Sequence, residues 1–189
     1  GGARALAGPG ALKVVANLPY SISGPVLALL AACDLALARV VCLVQKELAE
    51  RLAARPGEAE WGALGFAVAL RFSVEILREV PARVFRPQPK VASALVRLEG
   101  LARPPVAPGK AGPALRFGRM LFTQRRRTLR AGLRALGLAD PAELLARAGL
   151  EGGLRVRDLG IEQILVLARL LDQDAATNEK KTNSGLESH

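Results

Sequence analysis

Residues 17–20 read Asn-Leu-Pro-Tyr, which puts an amide, a stiff turn and an aromatic plane within four positions. That set can do chemistry without any titrating group. The exocyclic amine of adenine is a poor nucleophile because its lone pair is delocalised into the ring. Alkylating it calls for acceptors on the amino hydrogens and a flat surface that holds the base. The Asn17 side-chain oxygen and a backbone carbonyl in the turn rigidified by Pro19 can be the acceptors, and Tyr20 can be the surface. The same four residues also fit an Asx-type turn with Tyr20 as a core aromatic, and the tetrapeptide alone leaves both readings open.

Other chemistries have less to stand on. The single histidine is His189, the last residue of a polar tail, which removes histidine general-base, Ser-His and zinc chemistry. Cys33 and Cys42 lie in apolar stretches with no second Cys-x-x-Cys, so they read as reduced core thiols and no metal site is expected. The formal net charge of +10 and the excess of 27 Lys+Arg over 17 Asp+Glu suit a polyanionic partner, or equally a solvated basic surface. No apolar run reaches the length of a membrane span and the first residues lack a signal-peptide pattern, so a cytoplasmic protein without membrane attachment is expected.

The elements that must position these residues follow from their punctuation. Leu12 to Ala16 is short and apolar, lies between Gly8-Pro9-Gly10 and the Asn17 turn, and reads as a buried strand whose carboxyl end carries the tetrapeptide. Ser23 can cap a following helix with Pro25 in its first turn. Ala38 to Val44 predicts a second strand and Gln45 to Leu52 a helix, which is the rhythm of an α/β sheet. A helix around Gly62 to Phe72 and a strand near Ser73 to Val80 come next. The three prolines of residues 81–90 then make a rigid loop before a last strand, Val91 to Leu98. Ligands of open α/β sheets bind beyond the carboxyl ends of the strands, where Asn17 lies. From Ala114 the signals turn helical, with a helix start at Asp140-Pro141-Ala142-Glu143 and a buried stripe of Ile161, Ile164, Leu165, Ala168 and Leu171. The expected division is an α/β part over 1–100, a linker over 101–113, a helical part over 114–171 and a disordered tail over 172–189.

Three motifs, in order, carry a resemblance to a known family. Asn17-Leu18-Pro19-Tyr20-Ser21-Ile22-Ser23 resembles the adenine-binding motif of the ribosomal RNA adenine N6-dimethyltransferases, with Ser21 where the common form has Asn. Phe85-Arg86-Pro87-Gln88-Pro89-Lys90-Val91-Ala92-Ser93 is similar to the same family's Phe-x-Pro-x-Pro-Lys-Val-x-Ser signature. Phe122-Thr123-Gln124-Arg125-Arg126-Arg127-Thr128 resembles its Phe-x-Gln-Arg-Arg-Lys-Thr stretch, with Arg127 for the usual Lys. The resemblance runs from about Leu12 to Leu171.

It implies a Rossmann-like S-adenosylmethionine-dependent methyltransferase domain followed by a small α-helical domain, and N6,N6-dimethylation of adenosines in small-subunit ribosomal RNA during ribosome biogenesis. It further implies that Asn17 and the Leu18 carbonyl accept from the adenine amine, that Tyr20 and Phe85 hold the flipped base between them, and that Asn17 lies beside the methyl donor. A loop anchor packed under the prolines is the other reading of Phe85. Lys90, Arg125, Arg126, Arg127 and Arg130 are the candidates for phosphate contacts, with Arg126 and Arg130 spaced to share a helical face, as are Arg127 and Arg130. The partner so implied is small-subunit ribosomal RNA or a pre-ribosomal subunit, bound by a monomer. The family's glycine-rich donor loop precedes the Asn-Leu-Pro-Tyr strand, so most of the S-adenosylmethionine site is expected upstream of an amino-terminally truncated chain that is inactive alone. Two alternatives remain: a large-subunit rRNA adenine N6-methyltransferase, which shares the first two motifs, and an RNA-binding or ribosome-assembly module without catalysis.

Overall fold

The computed structural model describes residues 4–6, 11–107 and 109–186, with side chains described over 11–107 and 109–177. The Gly8-Pro9-Gly10 breaker and His189 lie outside the described residues. The chain divides into two compact units, Gly1–Ala111 and Gly112–His189.

In the first unit β1 (Arg4–Leu6), β2 (Leu12–Asn17), β3 (Leu37–Gln45), β4 (Phe72–Val80) and β5 (Ser93–Gly100) form one sheet of order β1-β2-β3-β5-β4. β2 and β3 are parallel, while β1 with β2, β3 with β5 and β4 with β5 are antiparallel. The parallel pair is joined by α1 (Tyr20–Ala32), as a crossover between parallel strands requires. α2 (Lys46–Ala53) and α3 (Ala63–Ala69) follow β3.

Burial alternates along β3 and β5, so that Val40, Cys42 and Val44 join Ala94, Val96 and Leu98 on one face, together with Leu27 and Ala31 of α1, Ala49 and Leu52 of α2 and Val68 of α3. Ser23, Leu27 and Ala31 recur at a spacing of four and form the buried stripe of α1. β2 is not the buried strand that its apolar composition predicts: Ala16 is buried but Val15 on the opposite face is 53% exposed. A continuous apolar run fixes neither face, and here the pleat decides. On the exposed face, Arg39 pairs with Glu99 directly across β3 and β5 at 2.7 Å, and Arg97 pairs with Glu75 across β5 and β4.

α1 begins at Tyr20, three residues before Ser23, so Ser23 is no cap. Pro19 (φ −56°, ψ 135°) turns the chain directly into the helix, and the Ser23 hydroxyl donates back to the Pro19 carbonyl at 2.9 Å. At the other end the Arg71 guanidinium donates to the carbonyls of Leu30 and of the C-cap Cys33, acceptors that a helix terminus leaves open, and to that of Leu35 in the loop beyond.

The second unit contains α4 (Gly112–Phe122), α5 (Leu129–Ala135), α6 (Ala142–Ala148) and α7 (Ile161–Leu186). α7 packs against α4 and α6, and its core includes Leu121, Leu133, Leu145, Ile164, Leu167 and Ala168. Gly112 and Pro113, read from sequence as the end of a linker, open α4, where proline suits a first turn. Asp140 accepts from the Ala142 amide at 3.0 Å at the start of α6.

Residues 172–186 are helical rather than a disordered tail. A helix already nucleated over its buried stripe gains a hydrogen bond for each residue it adds, so a polar continuation needs no core of its own. Arg147 of α6 also holds Asp174 of α7 with both carboxylate oxygens, at 2.9 and 3.0 Å. Among the described residues no helix is long and apolar enough to cross a membrane.

Candidate functional site

At the carboxyl end of β2 the chain leaves the sheet through Asn17, buries Leu18 and enters α1 at Tyr20. Burying Leu18 anchors the loop in the core and leaves Asn17 on the exposed side. The 81–90 segment arrives from β4, makes a short 3-10 turn at Ala82–Val84, passes an extended Phe85 and bends through a cis Arg86–Pro87 bond before β5. These two segments line one cavity of about 300 Å³, formed by Asn17, Leu18, Pro19 and Tyr20 on one side and Phe85, Arg86, Pro87 and Pro89 on the other. Tyr20 and Phe85 are both half-buried, each with part of its side chain open to solvent.

Among the described residues the Asn17 side-chain oxygen accepts no amide of its own turn, where position i+2 is Pro19 and has no N–H to give, and Tyr20 lines a cavity instead of filling the core. Phe85 faces the same cavity together with Pro87 and Pro89. The residues that line it combine the polar side chains of Asn17, Tyr20 and Arg86 with the apolar ones of Leu18, Pro19, Phe85, Pro87 and Pro89. That composition suits a flat heteroaromatic ring with a polar edge.

The Tyr20 hydroxyl and Ser93 Oγ are 2.7 Å apart, and Ser93 is not among the residues that line the cavity. Ser93 is the first residue of β5 and is fully buried. Sequence reasoning gave Ser93 no role. Its signal was a lone polar residue at an inward-facing strand position, and its partner 73 residues away could not be read locally. Beside the same strand end Lys46 donates its amide to the Ala92 carbonyl at 3.0 Å. The hydrogen bond and charge of Glu79, 2.8 Å from Nζ, hold the Lys46 ammonium above its ordinary pKa.

The basic candidates fall on different units. Lys90 is exposed on the loop before β5. Arg125, Arg126 and Arg127 do not share a helical face with Arg130, because they lie in a tight turn between α4 and α5. The turn closes through amide bonds from Gln124 to Leu121, Arg125 to Phe122 and Arg127 to Gln124, and Thr128 then restarts the helix by accepting from the Ala131 amide at 3.4 Å. Only Arg130 of the four is on α5.

The turn is backed by residues 152–157. Amides of Leu129 and Arg130 donate to Leu154 and Gly152, and amides of Val156 and Arg157 donate back to Arg127 and Arg125. Arg155, exposed like Arg126 and Arg127, is thereby brought alongside, with its Nη1 3.4 Å from the Arg126 carbonyl. No local spacing signals that neighbour, since the pairing joins segments 29 residues apart.

Comparison with known proteins places the sequence and the fold. The profile of the family described as ribosomal RNA adenine dimethylase matches residues 9–173. Among similar curated proteins, the ribosomal RNA small subunit methyltransferase A of Anaeromyxobacter sp. (strain K) is 44% identical over 177 residues, covering 90% of this chain and 61% of its own length. The protein of the same name from Lactobacillus acidophilus is 38% identical over 160 residues, covering 84% of this chain and 54% of its own. The chain thus spans between half and two thirds of the length of these relatives.

Among solved structures, a dimethyladenosine transferase from Plasmodium falciparum superposes with a TM-score of 0.73 at 23% identity over 85% of this chain and 66% of that one. The 23S rRNA methyltransferase ErmE superposes with a TM-score of 0.57 at 27% identity over 88% of this chain and 67% of that one. The first likeness bears out the α/β methyltransferase fold with its helical carboxy-terminal part. Since the family profile covers 9–173 and takes in all three motifs, this chain belongs to the ribosomal RNA adenine dimethylase family.

Proposed function

We propose that this chain is the part of an S-adenosylmethionine-dependent small-subunit rRNA adenine N6-dimethyltransferase that receives the target adenine and holds the RNA. The observation that carries the reading is the single cavity lined by both Asn17-Leu18-Pro19-Tyr20 and the Phe85 loop. In it the Asn17 oxygen and the Leu18 carbonyl accept the two amino hydrogens, which turns the N6 lone pair toward the reacting carbon. The rings of Tyr20 and Phe85 take the faces of the base once it has left its stack, compensating for lost neighbours. The half-exposed wall admits a base from an RNA strand lying outside.

S-adenosylmethionine, when bound, supplies an electrophilic methyl on its sulfonium. The residues present fit that role in one respect: an exposed primary amide at the end of a strand, Asn17, carries both a donor and an acceptor into the cavity. Asn17 is therefore the residue of this chain assigned to the donor's side of the site. Lys90, Arg125, Arg126, Arg127 and Arg130, joined by Arg155, are the phosphate contacts. The small-subunit substrate rests on the third motif and on the names of the curated relatives, 35 to 44% identical to this chain among those compared.

The test is single-turnover methylation of unmodified small subunits by the full-length enzyme. Asn17→Ala should slow the chemical step by about a hundred- to a thousandfold, the usual cost of losing one transition-state hydrogen-bonding group. RNA affinity should stay close to wild type. Near-normal methylation by a folded Asn17→Ala enzyme would remove this motif from the adenine site.

A further inference from the structure

Among the described residues two polar ones are fully buried, Ser23 and Ser93, and both are bonded to the loop that ends β2. Burying a hydroxyl costs free energy unless it is bonded, and alanine would fill either position without that cost. What the hydroxyls add is geometry. Ser23 fixes the backbone of the loop through the Pro19 carbonyl. Ser93 reaches the tip of a side chain, the Tyr20 hydroxyl, 2.7 Å away.

The anchor is rigid, because Ser93 is paired in the sheet on both sides, opposite Gln45 of β3 and Val80 of β4. A tyrosine ring held only at Cβ turns about two torsions, and a bond at the far end of the ring removes most of that freedom. The bond also ties the two walls of the cavity together, since Ser93 closes the segment that carries Phe85.

We propose that Ser93 is a positioning residue of the adenine site, holding the Tyr20 ring in the orientation in which its face meets the base. This rests on the reading of the cavity given above, and it assigns the Tyr20 hydroxyl a part that a purely stacking ring would not have. Preorganisation of this kind raises the stacking of a captured base without adding any contact to the RNA.

The probe is a single-stranded RNA oligonucleotide carrying one 8-vinyladenosine, a fluorescent adenosine that keeps the 6-amino group and whose emission is quenched when the base stacks on an aromatic ring. It is titrated onto this chain, in which Tyr20 is the sole tyrosine. Ser93→Ala and Tyr20→Phe should each lower the stacking constant of the bound base by about three- to tenfold, the share of one hydrogen bond, with overall RNA affinity within about twofold of wild type. The double variant should lose no more than either single one, because both remove the same bond.

Losses that multiply in the double variant would mean that Ser93 acts by packing alone, and the proposal would fall. Stacking unchanged in Ser93→Ala would overturn it while leaving the cavity as the adenine site. Absence of quenching in the wild-type chain would overturn the adenine reading itself, and this proposal with it. Should Ser93→Ala not fold, Tyr20→Phe breaks the bond from the solvent side, and full stacking there overturns the proposal.

Discussion

Cys42 illustrates how a single side chain sets a pH dependence that composition does not announce. It is fully buried in the middle of β3, and burial pushes its thiol from an ordinary 9.0 up to about 11. Between those values the unfolded chain ionises while the folded one stays neutral, so the unfolded state holds fewer protons and stability falls as pH rises. The loss should approach about 3 kcal/mol above pH 11, from two units at about 1.4 kcal/mol each. Urea unfolding from pH 8 to 11 should give a downward slope in the wild type that is shallower in Cys42→Ala. An equal slope in both would acquit Cys42. At this scale the strand end that carries Asn17 and Tyr20 and the proline-rich loop that carries Phe85 were legible from residue type and order, and both line the same cavity. Ser23 was read as a cap and is a buried brace, because the helix starts one turn earlier and only the backbone at Pro19 decides that.

The contact between α2 and α3 depends on an absent side chain. A Cβ on Gly65 would stand 2.7 Å from the Arg51 carbonyl and 3.2 Å from the Trp61 ring, with backbone and a buried indole unable to yield. Gly65→Ala should therefore destabilise the first unit by about 1–3 kcal/mol, as overpacking does. The emission of Trp61, the sole tryptophan, follows that unit in a denaturant titration, and an unchanged midpoint would refute the close approach. Strands and helices of the sheet were readable from alternation and from their Gly and Pro boundaries. The arginine turn was not, because Phe122 to Arg130 has helical composition throughout and the break is made by Thr128 and by pairing with residues 152–157, which no local window contains. The helix over 172–186 was missed for the opposite reason: polarity was taken for disorder, although the element it continues was already anchored.

Across the whole molecule the +10 charge becomes specific only where the chain gathers it. Each neutralised phosphate of single-stranded RNA contributes about 0.7 to the slope of log affinity against log salt. Arg125→Ala, Arg126→Ala and Arg155→Ala should each flatten that slope by about one contact's worth, measured by titrating small-subunit rRNA at several salt concentrations. An unchanged slope in all three would return these arginines to solvent. The fold class was legible because strand and helix signals change abruptly near residue 112, where the two units meet in sequence. The order of the strands was not, since β5 comes last in the sheet's sequence yet lies between β3 and β4. That order has a consequence in time. α1 can coil and β2 can pair with β3 on local or nearly local contacts, but the β3 to β5 ladder joins residues such as Arg39 and Glu99, 60 positions apart, and long loops close late. Ser93 arrives with β5. The orientation of Tyr20 is thus a property of the finished sheet, and a chain whose sheet is only partly assembled already has its aromatic ring but has not yet aimed it.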